Sequence, residues 1–198
     1  MTEHRPYHEE ITPEKRLRML NSEGRAKWLR TDDLIKETGI GDGMTCIDLG
    51  CGIGTVSFPL SEAVGKQGTV YAVDTHIEAL EIIREKNPPE NLVTVNRDAA
   101  NTGLDAGIAD FCIIILLLHE IVPPDGILAE ACRLLKPGGK AVVLEWIYDA
   151  DIQGPPRAER LSREKLEQLF SAAGLSQPDY SEWTESLCLL TGSKPASG

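Results

Sequence analysis

The chain has 198 residues, 41% hydrophobic and 26% charged, the balance of one soluble globular domain with a sizeable core. A formal charge of −11 and a pI near 4.8 oppose nucleic-acid backbones and anionic membranes, leaving the segment around Arg157, Arg160 and Arg163 as a mild basic patch. Cys46, Cys51, Cys112, Cys132 and Cys188 are scattered and form no C-x-x-C pair, which excludes a disulfide framework or zinc knuckle and points to a reducing cytoplasm.

The N-terminal run MTEHRPYHEEITPEKRLRML is charged throughout, with no apolar signal core, and the longest apolar run, Phe111 to Leu118, is too short to span a bilayer. Residues 13–38 are predicted to be helical. Pro13 suits a first turn, Leu17, Leu20, Trp28, Leu29, Leu34 and Ile35 recur near helical spacing, and Gly24 interrupts the first piece. GIGDG (39–43) breaks the pattern. Residues 1–40 are therefore expected to cap a unit spanning 41–198.

From MTCIDLG onward, strands and helices alternate. A buried strand is followed by a helix from about Thr55 to Val64, the turn GKQG and the strand TVYAVD. HIEALEIIREKN is amphipathic, with Ile77, Leu80 and Ile83 on one face, and PPE ends it before the strand NLVTVNRD. ADFCIIILLL is apolar on both faces, as a central parallel strand is. PDGILAEACRLLK is a helix stopped by PGG, and KAVVLEWIY a fifth strand. Residues 149–161 form a polar excursion containing Pro and Gly. SREKLEQLFSAAGL is a helix capped by Ser162, and DYSEWTESLCLLTGSK suits two closing strands in a hairpin.

This alternation predicts an α/β fold: a doubly wound, mostly parallel seven-stranded sheet with helices on both faces. Ligands bind such sheets at the carboxyl ends of the strands. Those ends are Asp48–Gly54, Asp74–His76, Asp98–Ala99, Ile115–Glu120 and Glu145–Tyr148.

The turn after the first of these strands reads DLGCGIG. It lacks the Lys-Ser/Thr pair of a P-loop, and a dinucleotide fingerprint counted from Gly50 finds Thr55 where its third glycine belongs. Asp74, at the end of YAVD, stands where a carboxylate grips a ribose diol. Asp48, just before the turn, would repel a pyrophosphate and suits a cationic ligand. S-adenosylmethionine, with a sulfonium, an ammonium and no phosphate, is such a ligand.

On these residues the chain resembles the class I S-adenosylmethionine-dependent methyltransferases. DLGCGIG is similar to their glycine signature, VYAVD to their ribose acid, NRDA to their adenine contact, DFCIIILLLHEI to their fourth strand and RLLKPGGKAVVLEW to their fifth. The likeness is strong over 40–147 and nearest to the ubiquinone/menaquinone-biosynthesis-like small-molecule branch. It implies that Asp48, Gly50, Cys51, Gly52 and Gly54 wrap the amino-acid and ribose part of the cofactor. Asp74 would take the ribose hydroxyls, Thr75 and His76 flank the adenine, and Asp98 with Ala99 contact it. Backbone near Ile115 and Leu116 would pass under the methionine moiety, although Ile114-Ile115 replaces the small polar residue common there.

Beside the methyl-transfer point, His119 is a candidate general base or equally a residue that merely caps the strand end or contacts cofactor, and Glu145 with Trp146 is placed to face an acceptor. Cys51 reads as packing rather than a nucleophile, the cysteine scatter does not match an arsenite-methylating set, and NPPE (87–90) is a helix terminator. Arg157 and Arg160 are candidates for an acidic acceptor or a solvated loop. The expected partner is a small-molecule acceptor, without nucleic acid, a membrane span or a metal. A non-catalytic S-adenosylmethionine-binding subunit and an NAD-dependent oxidoreductase are the alternatives.

Overall fold

The structure, a computed structural model, describes residues 3–4, 24–151 and 154–196. Pro13, Leu17 and Leu20 lie outside the described residues. The helical reading of the N-terminal region resolves here into α1 (Arg25–Leu29) and α2 (Thr31–Thr38), separated at Arg30, whose φ of 55° breaks the helix. Gly24 stands at the start of α1 with φ 96°, a value natural to glycine.

The strands are β1 (Glu3–His4), β2 (Thr45–Leu49), β3 (Thr69–Asp74), β4 (Leu92–Asn96), β5 (Ala109–Ile115), β6 (Ile121–Val122), β7 (Leu135–Trp146), β8 (Asp179–Glu182) and β9 (Leu187–Ser193). Seven of them form one sheet in the order β4-β3-β2-β5-β7-β9-β8, while β1 pairs antiparallel with β6 alone. The five strands from β4 to β7 run parallel, and β9 is antiparallel to both β7 and β8. The expected closing hairpin is therefore present, its second strand inserted beside β7. One boundary differs from the sequence reading. Lys-Pro-Gly-Gly after the helix is extended and belongs to β7, because Leu135 already pairs with Ala109 across an irregular register.

Helices α3 (Ser57–Val64), α4 (Ile77–Glu85), α5 (Asp125–Leu134) and α6 (Arg163–Ala172) complete the two outer layers. Successive strand residues point to opposite faces, so β2 splits its side chains. Cys46 joins Leu34, Leu60, Leu80 and Ile83 on one face, and Ile47 and Leu49 join Ile127, Leu128, Leu166 and Phe170 on the other. Ser162 caps α6 as expected, its hydroxyl accepting from the Lys165 amide at 3.2 Å.

The N-terminal pair of helices is fastened to the far end of the chain. Trp183 donates its indole N–H to the Leu29 carbonyl at 2.8 Å, and Arg30 bonds the Trp183 carbonyl at 3.1 Å while lying over its ring. Strand order reverses at β2, whose neighbours β3 and β5 lead to opposite wings. The crevice outside those carboxyl ends is where such a sheet takes a ligand.

Candidate functional site

The crevice encloses about 1170 Å³ of empty space, its open mouth included, and is walled by the ends of β2, β3 and β5 together with α1 and the turn after β5. Its floor is the glycine turn, and that turn is tied to β3. The amides of Gly50 and Cys51 both donate to the Val73 carbonyl, at 2.9 and 3.0 Å, and the Gly52 amide donates to Asp74 Oδ2 at 2.8 Å. Gly50 and Gly52 hold φ values of 76° and 53°, the left-handed region that lets successive amides swing toward β3. A Cβ on Gly50 would come within 2.8 Å of Leu117. Three N–H groups that could have met a phosphate are thus already used. What faces the crevice instead is a pair of carboxyl groups, Asp48 and Asp74.

Asp74 accepts from Gly52, from the His76 amide at 2.9 Å and from His76 Nδ1 at 3.0 Å. Burial pushes its carboxyl upward, but these donors outweigh it and hold Asp74 below the ordinary range. It enters the crevice as a carboxylate. Asp48 is different. It is 2% exposed, lines the crevice, and receives one side-chain hydrogen bond, from Ser57 Oγ at 2.6 Å. Desolvation, opposed by Ser57 and aided by the nearby Asp74 charge, lifts its carboxyl to about 7. Cys51 between the glycines is buried, and burial with Asp48 and Asp74 pushes its thiol well above the ordinary value, so no reactive thiolate stands here.

On the β4 side, Asp98 and Ala99 reach the crevice, and Asp98 Oδ1 accepts from the Ala100 amide at 2.8 Å in a tight turn. Thr75 and His76 line the same wall. On the β5 side the strand stops at Ile115 because Leu116 adopts φ 54°, a left-handed conformation costly for a branched side chain. That turn swings Leu116 and Leu117 to the wall beside Ile115.

Ten of the eleven cofactor-binding candidates, Asp48, Gly50, Cys51, Gly52, Asp74, Thr75, His76, Asp98, Ala99 and Ile115, line one crevice. Gly54 lies behind the turn, where a Cβ would meet Ile83 at 3.0 Å and Phe58 at 3.1 Å, so it secures the packing of α3 and α4 rather than facing ligand.

His119 and Glu145 lie outside the crevice lining, His119 in the strand-end position that is its second expected role. Their side chains are 3% and 1% exposed, neither lines the crevice, and each is engaged with the other. Glu145 accepts from the His119 amide at 3.2 Å, from His119 Nδ1 at 2.9 Å and from the Trp146 amide at 3.1 Å. The pair holds the 3-10 turn Leu118–Glu120 against β7.

The two arginines also lie outside the crevice lining. Arg160 is buried and bonds the carbonyls of Pro155 and Ala150 at 2.9 and 2.7 Å, holding the 149–161 excursion together. Arg157 pairs with Asp149 and lies over the Tyr148 ring, away from the crevice. Trp28 is 36% exposed and packs 5.5 Å from Trp146, outside the crevice wall.

Sequence reasoning missed Arg25 and gave Glu120, the last residue of the Ile115–Glu120 strand end, no role of its own. Both line the crevice, and Arg25 is lowered by burial while the Glu120 charge opposes that shift. Arg25 carries no local motif; only the fold brings a residue of α1 across to the turn after β5. Among the described residues no cluster of His, Cys, Asp and Glu could hold a metal, and no helix is long and apolar enough to cross a membrane.

The family description "Methyltransferase domain" matches residues 47–143, the stretch from β2 into β7. Two curated relatives are demethylmenaquinone methyltransferases. That of Shouchella clausii is 34% identical over 116 residues, 57% of this chain and 49% of that protein; that of Staphylococcus aureus (strain MRSA252) is 36% identical over 115 residues, 57% and 47%. The chain spans about half the length of the curated relatives it matches. A SAM-dependent methyltransferase from Aquifex aeolicus shares the fold with a TM-score of 0.85 at 24% identity, over 92% of this chain and 99% of that one. The [4+2]-cyclase SpnF shares it with 0.72 at 19% identity, over 89% and 86%.

Proposed function

We propose that the chain is a class I S-adenosylmethionine-dependent methyltransferase of the quinone-biosynthesis-like branch, transferring a methyl group from S-adenosylmethionine to a small-molecule acceptor. The observation that carries the ligand is the sign of the crevice. Its turn amides are bonded to β3, and Asp48 and Asp74 face the space they leave. Such a wall rejects a pyrophosphate and attracts a cation, which disfavours NAD. When bound, S-adenosylmethionine supplies an electrophilic methyl on a positively charged sulfur.

The residues of this chain hold and orient. Asp74 binds the ribose hydroxyls, Asp98 and Ala99 the adenine between Thr75 and His76, and Asp48 with the Gly50–Gly52 turn the charged amino-acid end. Ile115 and Leu116 wall that end. His119 and Glu145 act as positioning residues, fixing the turn that carries Glu120 to the crevice. Residues 1–40 serve as the cap of the transfer domain, 41–198. Positioning does most of the catalysis of a methyl displacement, so a base is required only if the acceptor must lose a proton. The acceptor is not a nucleic acid, given the charge of −11 and the carboxylates at the site. The relatives make demethylated menaquinones the first acceptors to try. Five free thiols favour a cytoplasmic setting.

The withdrawal of His119 and Glu145 from the crevice favours a second reading, a cofactor-binding subunit without turnover. Calorimetry with S-adenosylmethionine, followed by an acceptor screen with methyl-labelled cofactor, separates the two. Micromolar binding with labelled product supports transfer, and binding without S-adenosylhomocysteine release from any acceptor supports the second reading. Absence of binding by a folded sample sinks both.

A further inference from the structure

Asp48 is the charged group in the crevice whose surroundings fit it least. It sits on β2, flanked in the sheet by Ala72 of β3 and Ile113 of β5, with a hydroxyl from α3 as its donor. The groups that face it are few. Asp74 from β3 adds negative charge and is itself bonded to His76. Cys46 on β2 and Cys51 in the turn also lie close, and burial keeps both thiols neutral, that of Cys46 pushed up to about 12. Arg25 and Glu120 line the same crevice and interact with each other. Among the described residues no cation is paired with Asp48.

Resting on the S-adenosylmethionine reading, we infer that Asp48 is a one-proton charge selector: it is a carboxylic acid without a cationic ligand and a carboxylate with one, so binding of the charged cofactor expels a proton. The step is an ionisation. The O–H bond breaks, its electron pair stays on Oδ, and the proton leaves to the buffer. The geometry requires a choice of this kind, because a fully buried carboxylate beside a second carboxylate is unfavourable until positive charge arrives. Its carboxyl standing at about 7 puts the switch within the physiological range. Once the methyl has been transferred the sulfur is neutral, so the product holds Asp48 ionised less firmly.

Calorimetric titration of the full chain with S-adenosylmethionine, repeated in phosphate and Tris, counts protons from the buffer dependence of the heat. About half a proton per cofactor is expected to leave at pH 7, close to one at pH 6 and close to none at pH 8, with affinity falling nearly tenfold per unit below pH 6.5. These are counts relative to Asp48→Asn, which removes the acid and flattens the profile. Adenosine, which lacks both positive charges, releases no Asp48 proton, and S-adenosylhomocysteine releases fewer than S-adenosylmethionine. Should Asp48→Asn not fold, Ser57→Ala serves instead: losing the donor that favours the ionised form moves proton release upward, so that it grows at pH 8. Tight binding with a flat count from pH 6 to 8 overturns this inference alone. No binding by the folded wild type overturns the cofactor reading with it.

Discussion

Asp74 and Glu145 stand at the carboxyl ends of β3 and β7, on the two wings of one sheet, and their carboxylates accept from the same kinds of donor: two backbone amides and one histidine ring. Their surroundings are opposite. The His76 side chain is 41% exposed and Asp74 opens to the crevice, whereas His119 is 3% exposed and Glu145 1%. Hydrogen bonding alone therefore does not separate a crevice-facing carboxylate from a covered one. The cover does. Trp146 lies edge-on to His119 and α1 packs on Trp146 through Trp28, whereas among the described residues no comparable ring stack covers the end of β3.

The largest effect should come from the covered wing. Glu145→Ala leaves the His119 and Trp146 amides and an imidazole N–H without their acceptor in a buried site. That is expected to cost about 3–5 kcal/mol and lower Tm by about 10 °C. Urea and thermal unfolding read the loss, and cofactor affinity in the fraction that remains folded should change by less than a few-fold. A stable variant with abolished binding would instead place Glu145 on the ligand side.

The open wing should respond the other way. Asp74→Ala removes the proposed ribose acceptor and the anchor of the Gly52 amide, and should weaken S-adenosylmethionine binding by about 100-fold, roughly 3 kcal/mol. Stability should fall by only about 1 kcal/mol, since His76 and the turn amide can turn to water. Calorimetry beside a melting curve gives both numbers. Unchanged affinity would remove the ribose assignment and with it the contrast between the two wings.

The asymmetry also explains what could be read from the chain. Gly50, Gly52 and Asp74 are legible because their role is local: a strand must end, a tight turn must follow, and the next strand must end in an acid. The face that Asp48 occupies follows from strand alternation in the same way. The direction of Glu145 depends on Trp146 and α1, and the path of Arg160 on carbonyls of an irregular loop, neither of which has a period. The contact between Trp183 and Leu29 spans 154 residues, and the facing of Arg25 and Glu120 depends on the same cap, so neither leaves a local pattern.

Arg157 provides the smallest and most discriminating change. In sequence it is a candidate hook for an acidic acceptor or part of a solvated loop; in the fold it lies over Tyr148 at 4.7 Å and pairs with Asp149 at an exposed site, as the second reading has it. Exposed pairs of this kind contribute about 0–1 kcal/mol, so Arg157→Ala should move Tm by no more than about 2 °C. Because Arg157 does not line the crevice, the KM for any acceptor found by the screen should stay within two-fold, and the S-adenosylmethionine affinity should not move. A KM rise of ten-fold or more, confined to anionic acceptors and absent with neutral ones, would bring the 149–161 segment over the crevice during turnover. The β7 wing would then have a ligand-facing surface of its own, and the division between an open and a covered side would hold only before the acceptor arrives.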